Sequence, residues 1–138
     1  MARRKTRTLT ELELEIMHVV WREGEATVEV IRRALEKSSK PLALPSVRTM
    51  LGILQDKNYV TRRPVGRGYA YRAVVSQDQA QKSIVKDVVD RAFEGSALDL
   101  VTALIGGKMV SKKDMDRVKQ LIGEHETIDR QKKREARK

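Results

Sequence analysis

Ser46, Arg48, Thr49, Gly52 and Gln55 share one face of a segment whose other face carries Val47, Met50, Leu51 and Leu54. The apolar set follows the i, i+3, i+4, i+7 spacing of a helix. The polar set is small or hydrogen-bonding and contains one charge, whereas a solvated helix face is normally rich in Glu and Lys. Such a face suits close approach by another surface. Its hydroxyls can donate to phosphate oxygens or base edges, and the fork of Arg48 fits O6 and N7 of guanine. Pro45 sits where a first helical residue is well placed, because its missing N–H would lack a partner there anyway. Downstream, Arg63, Arg67 and Arg72 surround a turn containing Gly66 and Gly68, and upstream Arg3, Arg4, Lys5 and Arg7 form a basic arm. The chemistry available from these side chains is recognition of a polyanion.

The elements that position these residues follow from local signals. Leu9 is a staple residue, and Thr10 with Glu13 forms a capping box that opens a first helix. Its apolar stripe of Leu12, Ile16, Val19 and Val20 runs to Trp21, a core anchor, and Gly24 ends it. Thr27 caps a second helix, which buries Val28 or Val30 with Ile31, Ala34 and Leu35. The segment from Pro45 to Lys57 is the third, and Asn58 tolerates the left-handed conformation that closes it. Tyr59–Arg63 and Tyr69–Val75 are strand-like, with Pro64–Gly68 as the loop between them. The order helix, helix, helix, basic hairpin is that of a winged helix-turn-helix. Ser76 with Gln79, Ser96, and Ser111 with Asp114 open three further helices. Their apolar positions include Ile84, Val88 and Phe93, then Leu100, Val101, Leu104 and Ile105, then Val118, Leu121 and Ile122. About 50 residues are close to the lower limit for a self-sufficient core, so these stripes are expected to pair with a second copy of the chain.

Composition narrows the function. The chain of 138 residues has a net charge of +10 and a pI near 10.1, which favours a polyanionic partner. Residues 1–75 hold 15 basic and 8 acidic side chains, and residues 76–138 hold 14 and 11. The excess therefore sits with the candidate recognition helix. Cysteine is absent, which excludes disulfides and thiol chemistry. No apolar run approaches the roughly 20 residues of a membrane span, and no apolar segment follows the basic N-terminus as in a signal peptide, so a cytoplasmic protein without membrane insertion is expected. There is no Gly-rich phosphate loop. His18 and His125 lie in different halves without partners at catalytic spacing. The sequence implies no enzyme, no cofactor and no metal.

Assembled in order, the chain resembles the penicillinase repressor family over about residues 9–123. The motifs that carry the resemblance are Leu9–Met17 with Trp21 and Gly24, Ala26–Thr27–Val28, Ser46–Leu51, Gly66–Tyr71 and Phe93–Ser96. The resemblance implies a homodimeric winged-helix repressor on dyad-symmetric operators of double-stranded DNA, with interlocking C-terminal helices. It places Ser46, Arg48 and Thr49 at recognition-helix positions and Arg67 on the wing. It also implies an inducing system, which in family members controlling β-lactamase genes is a membrane sensor-protease. Pro45 stands where the family pattern has a threonine, Ile53 where an arginine is common and Asn58 where a glycine is usual. The family's Asn–Phe cleavage dipeptide corresponds to Ala103–Leu104 here, and the C-terminal cysteines of copper-responsive relatives are missing.

The fold class expected is mainly α. A basic arm (1–8) precedes a winged helix-turn-helix of three helices plus a β-hairpin wing (9–75). A three-helix dimerisation region (76–123) and a charged, disordered tail (124–138) follow. The expected DNA contacts are Pro45, Ser46, Arg48, Thr49, Gly52, Gln55, Arg63, Arg67, Arg3 and Arg4. Two other functions stay open on the residues alone: a winged-helix protein-interaction module and a sequence-independent DNA-binding protein.

Overall fold

The computed structural model describes residues 8–38 and 41–137, so Arg3 and Arg4 lie outside the described residues. Its elements are α1 (Glu11–Glu23), β1 (Ala26–Thr27), α2 (Val28–Leu35), α3 (Leu44–Asp56), β2 (Val60–Val65) and β3 (Gly68–Ala73). They continue with α4 (Gln77–Ala92), α5 (Ala97–Gly106) and α6 (Lys112–Ala136). The fold is mainly α: a winged helix-turn-helix followed by three helices. The chain divides into two compact units between Val88 and Val89, within α4; the boundary expected from the sequence lies at Val75–Ser76, where the Ser76–Gln79 capping box opens that helix.

In the first unit, the capping box at α1 forms with both bonds. Glu13 N–H donates to Thr10 Oγ1 at 3.3 Å and Thr10 N–H donates to Glu13 Oε1 at 2.9 Å. The buried core takes Ile16, Met17 and Val20 from α1, Ile31 and Leu35 from α2, and Val47, Leu51 and Leu54 from α3. These positions are the apolar stripes of the three helices, so each helix is held through one face. Trp21 packs against this core and donates its indole N–H to Val75 O at 2.9 Å. The indole thus joins α1 to the residue that leaves the sheet.

The sheet has three antiparallel strands in the order β1-β3-β2. The short β1, which no local signal announces, pairs Ala26 with Tyr71 and Thr27 with Ala70. Two residues carry no periodicity, so pairing with β3 is its only signature. The hairpin is tighter than Pro64–Gly68 suggests, because Val65 pairs with Gly68 and leaves a two-residue turn at Gly66–Arg67. Gly66 has φ 59, while Gly68 is an ordinary strand residue. Asn58 closes α3 at φ 64. Helix α3 begins at Leu44, which puts Pro45 one position further into the first turn.

Lys57, at the end of α3, places its ammonium between Glu13 Oε1 at 2.9 Å and Thr8 O at 3.1 Å. Both side chains of the pair are nearly inaccessible, at 7% for Lys57 and 2% for Glu13. Burial opposes ionisation of Glu13, but bonds from Lys57 and Thr10 outweigh it and hold the carboxyl below its ordinary range.

Among the described residues, the last buried one is Ala80, in the first turns of α4. In the second unit, no described residue of α5 or α6 is buried. Ser96 and Ser111 cap these two helices, each accepting at 3.1 Å from the N–H three residues on. Helix α6 continues to Ala136, through residues whose composition alone suggests a disordered tail. After Gly123 the sequence has neither Gly nor Pro and is rich in Glu, Gln, Lys and Arg, all strong helix formers. Among the described residues no helix is long and apolar enough to cross a membrane.

Removing either partner of the Glu13–Lys57 pair leaves a buried charge, so Glu13→Ala or Lys57→Ala is expected to cost about 3 kcal/mol in urea unfolding. The double replacement Glu13→Leu/Lys57→Met should recover most of that loss. Because the folded pKa of Glu13 lies below its ordinary 4.5, its contribution is complete above about pH 4.5. It should fade as pH falls through the folded value. Single variants within about 0.5 kcal/mol of the parent, at pH 7, would show that the pair contributes nothing.

Candidate nucleic-acid interface

Helix α3 buries Val47, Leu51 and Leu54 and exposes Ser46, Arg48, Thr49 and Gly52, with Gln55 half-buried. The expected polar face is therefore the outer face of the helix. A Cβ added at Gly52 would meet nothing within 4 Å, so no packing inside the chain requires glycine there. Thr49 turns its hydroxyl back to Pro45 O at 3.0 Å, the common habit of Thr within a helix. Its oxygen can still accept a hydrogen bond, but donation to a phosphate requires the hydroxyl to rotate.

Beside this face lies a cavity of about 510 Å³ between the start of α2, α3 and the hairpin. Arg48 and Gly52 reach it from α3, Arg62 and Arg67 from the hairpin, and Val28 and Tyr71 supply apolar wall. Glu29 also borders it, but its carboxylate is held by Arg32 at 2.7 Å and by Arg33 at 3.4 Å. The Arg32 bond, helped by Arg33, keeps the carboxyl below its ordinary range. Among the described residues, Arg48 and Arg67 have no ion-pair partner. The cavity therefore combines free guanidinium groups with an acid already neutralised.

The hairpin divides its arginines by strand alternation. Arg62 lies 3.9 Å from the centre of the Tyr69 ring. A hydrogen bond with Tyr71 holds its pKa above the ordinary value. Arg63 is committed elsewhere: its guanidinium grips Glu25 Oε1 at 2.6 Å through one terminal nitrogen and at 2.9 Å through Nε. That ion pair lowers the Glu25 pKa and raises that of Arg63. Of these two, Arg63 is the one expected at the DNA from the sequence, and Arg62 is the one that lines the cavity. Adjacent arginines in a strand look alike, and only the position of Glu25, just before β1, separates them.

The expected pairing residues fall in both units. Ile84 and Val88 lie on α4 before the division, Ile84 half-buried and Val88 exposed. Phe93, Leu100 and Leu104 are half-buried, and Val101, Ile105, Val118, Leu121 and Ile122 are exposed. The second unit thus turns large aliphatic side chains to solvent without burying any. The Ala103–Leu104 dipeptide lies inside α5, in backbone that must unwind before a protease could take it as an extended chain. Among the described residues, no group of His, Asp and Glu could hold a metal ion.

The chain is similar to the penicillinase repressor of Bacillus licheniformis, with 20% identity over 122 residues that span 88% of this chain and 94% of that protein. The sequence model of the penicillinase repressor family matches residues 9–124. That range begins at the staple ahead of α1 and ends midway along α6, so it takes in the winged helix, the cavity and most of the second unit. The chain belongs to the penicillinase repressor family, a family of transcriptional repressors.

Proposed function

We propose that the protein is a homodimeric, DNA-binding transcriptional repressor that acts on dyad-symmetric operators. The observation that carries this reading is the exposed, slim face of α3 beside a cavity rimmed by unpaired Arg48 and Arg67 together with Arg62. A face without bulk at Gly52 can lie against the floor of a major groove, and Arg48 is placed to address a guanine edge. Ser46, two residues before Arg48 in the first turn of the helix, has its N–H and hydroxyl available to a phosphate. Arg62 and Arg67 address the backbone, which supplies affinity and register rather than sequence choice. Arg63 contributes indirectly, by fixing the hairpin to Glu25.

Dimerisation is supported by the second unit. Its helices expose Val101, Ile105, Leu121 and Ile122 and fully bury none of the described residues of α5 and α6, and an apolar surface of that kind marks an interaction site. A second copy satisfies it and sets two recognition helices about 34–36 Å apart, one turn of DNA. Occupying the operator then blocks transcription, and whatever separates the protomers releases the DNA. Induction by a sensor-protease or by another system acts on that pairing surface.

The reading is tested by fluorescence anisotropy on the gene's own upstream DNA against a scrambled duplex at physiological salt. A preference of about a thousandfold or more is expected, and equal affinity for the two duplexes would overturn the operator assignment. Arg48→Ala should lose roughly 1–3 kcal/mol of discrimination, whereas Arg62→Ala and Arg67→Ala should weaken both duplexes alike. Gly52→Ala should stabilise the fold by about 0.5–1 kcal/mol through helix propensity, yet bind the upstream DNA less well. A variant stabilised and unimpaired would show that nothing approaches Gly52. Ile105→Asp, which puts a charge on the exposed face of α5, should yield a monomer by analytical ultracentrifugation with an intact winged helix. A dimer of parental affinity would exclude α5 from the interface.

A further inference from the structure

The C-terminal half of α6 extends beyond residue 124, where the family match ends. Within it, Arg130, Lys133, Arg134 and Arg137 stand at i, i+3, i+4 and i+7. This is the spacing that gathers side chains on one helix face. The helix is formed through Ala136, and all four side chains are exposed. Among the described residues, none of these four side chains has an ion-pair or hydrogen-bond partner. Glu126 stands four residues before Arg130, the favourable order for a helix pair, yet makes no bond to it. Glu135 and Lys132 fall off the stripe.

Two plain explanations are insufficient. Cations near a helix C-terminus complement its dipole, but that effect falls off within the last turn. It accounts for Lys133 and Arg134, not for Arg130 or for the gathering of four cations on one face. A membrane-surface helix needs an apolar face opposite its cations, and between Asp129 and Arg137 the only apolar residue is Ala136. The partner chemistry that remains is a hydrophilic polyanion with regularly spaced charges. The stripe covers about 10 Å along the helix axis, a length over which duplex DNA presents several phosphates.

We infer that Arg130, Lys133, Arg134 and Arg137 form a second DNA-binding surface, which engages the phosphate backbone without reading sequence. The inference rests on the proposed DNA-binding function and adds to it a site beyond the winged helix. It predicts that the C-terminal half of α6 increases affinity for any duplex and steepens its salt dependence, while leaving operator preference unchanged.

The test measures duplex affinity of the full-length protein against KCl concentration, on its upstream DNA and on a scrambled duplex. Three proteins are compared: the parent, Arg130→Gln/Lys133→Gln/Arg134→Gln/Arg137→Gln, and the charge-keeping Arg130→Lys/Arg134→Lys/Arg137→Lys. Glutamine is a good helix former, and far-UV circular dichroism confirms that α6 persists. Every phosphate that is no longer neutralised lowers the log–log slope by roughly 0.9. The glutamine variant is therefore expected to lose about 2 or more from the slope, equally on both duplexes, and the lysine variant to keep the parental slope. An unchanged slope in the glutamine variant would overturn the inference and direct attention to an acidic protein surface as partner. A loss confined to the upstream duplex would also overturn it, by making the stripe a sequence reader. Equal affinity of the parent for both duplexes would defeat the operator reading alone, since the slope comparison remains decisive.

Discussion

A buried ammonium at the end of α3 needs its carboxylate, and that requirement fixes the helix proposed to meet DNA. Val47, Leu51 and Leu54 hold α3 on the core through packing that tolerates small slides and rotations. Lys57 does not tolerate them. Its 2.9 Å bond to Glu13 and its bond to Thr8 O confine the end of α3 to one position on α1. A buried pair of this kind adds little net energy compared with an apolar substitute, but breaking it is costly. The same Glu13 oxygen also accepts from Thr10 N–H. One carboxylate thus serves both as helix cap and as anchor, so the start of α1 and the end of α3 move together or not at all. With α3 reading base edges as proposed, a fixed orientation of this kind is what holds its side chains in register.

Charge in the hairpin is similarly divided between holding and reaching. Arg63 is spent on Glu25, and Glu29 is occupied by Arg32 and Arg33. Arg62 is steadied by stacking on Tyr69. Among the described residues, Arg48 and Arg67 are left without an ion-pair partner. Net charge alone makes no such distinction, since every arginine counts equally toward +10. The division shows which cations can meet a new anion without first giving up a carboxylate.

Much of this was legible in the sequence because the signals are local. Thr10, Thr27, Ser76, Ser96 and Ser111 each sit three residues before the N–H they cap. The stripe Val47, Leu51, Leu54 needs only helical periodicity to be seen. What escapes it depends on residues that meet from afar. Strand β1 exists because Ala26 meets Tyr71, 45 positions on. Arg62 and Arg63 are distinguished only once Glu25 is in place. The first turns of α4 join the winged helix because Ala80 packs into its core, which no composition shift announces. The helical C-terminus is hidden for another reason. High charge argues against a packed core, and α6 there needs none to remain helical.

The end of the core at Ala80 has a consequence for abundance. Helices that bury nothing by themselves become fully stable only on association, so with pairing as proposed, their folding is linked to protein concentration. Dimers form with the square of the protomer concentration at low abundance. Newly made chains would pass through a stage in which α5 and α6 are open to cellular proteases. Repression would then switch on above a threshold of synthesis rather than in proportion to it. Scarce repressor would be removed faster than plentiful repressor, which sharpens the response to gene dosage without any inducer.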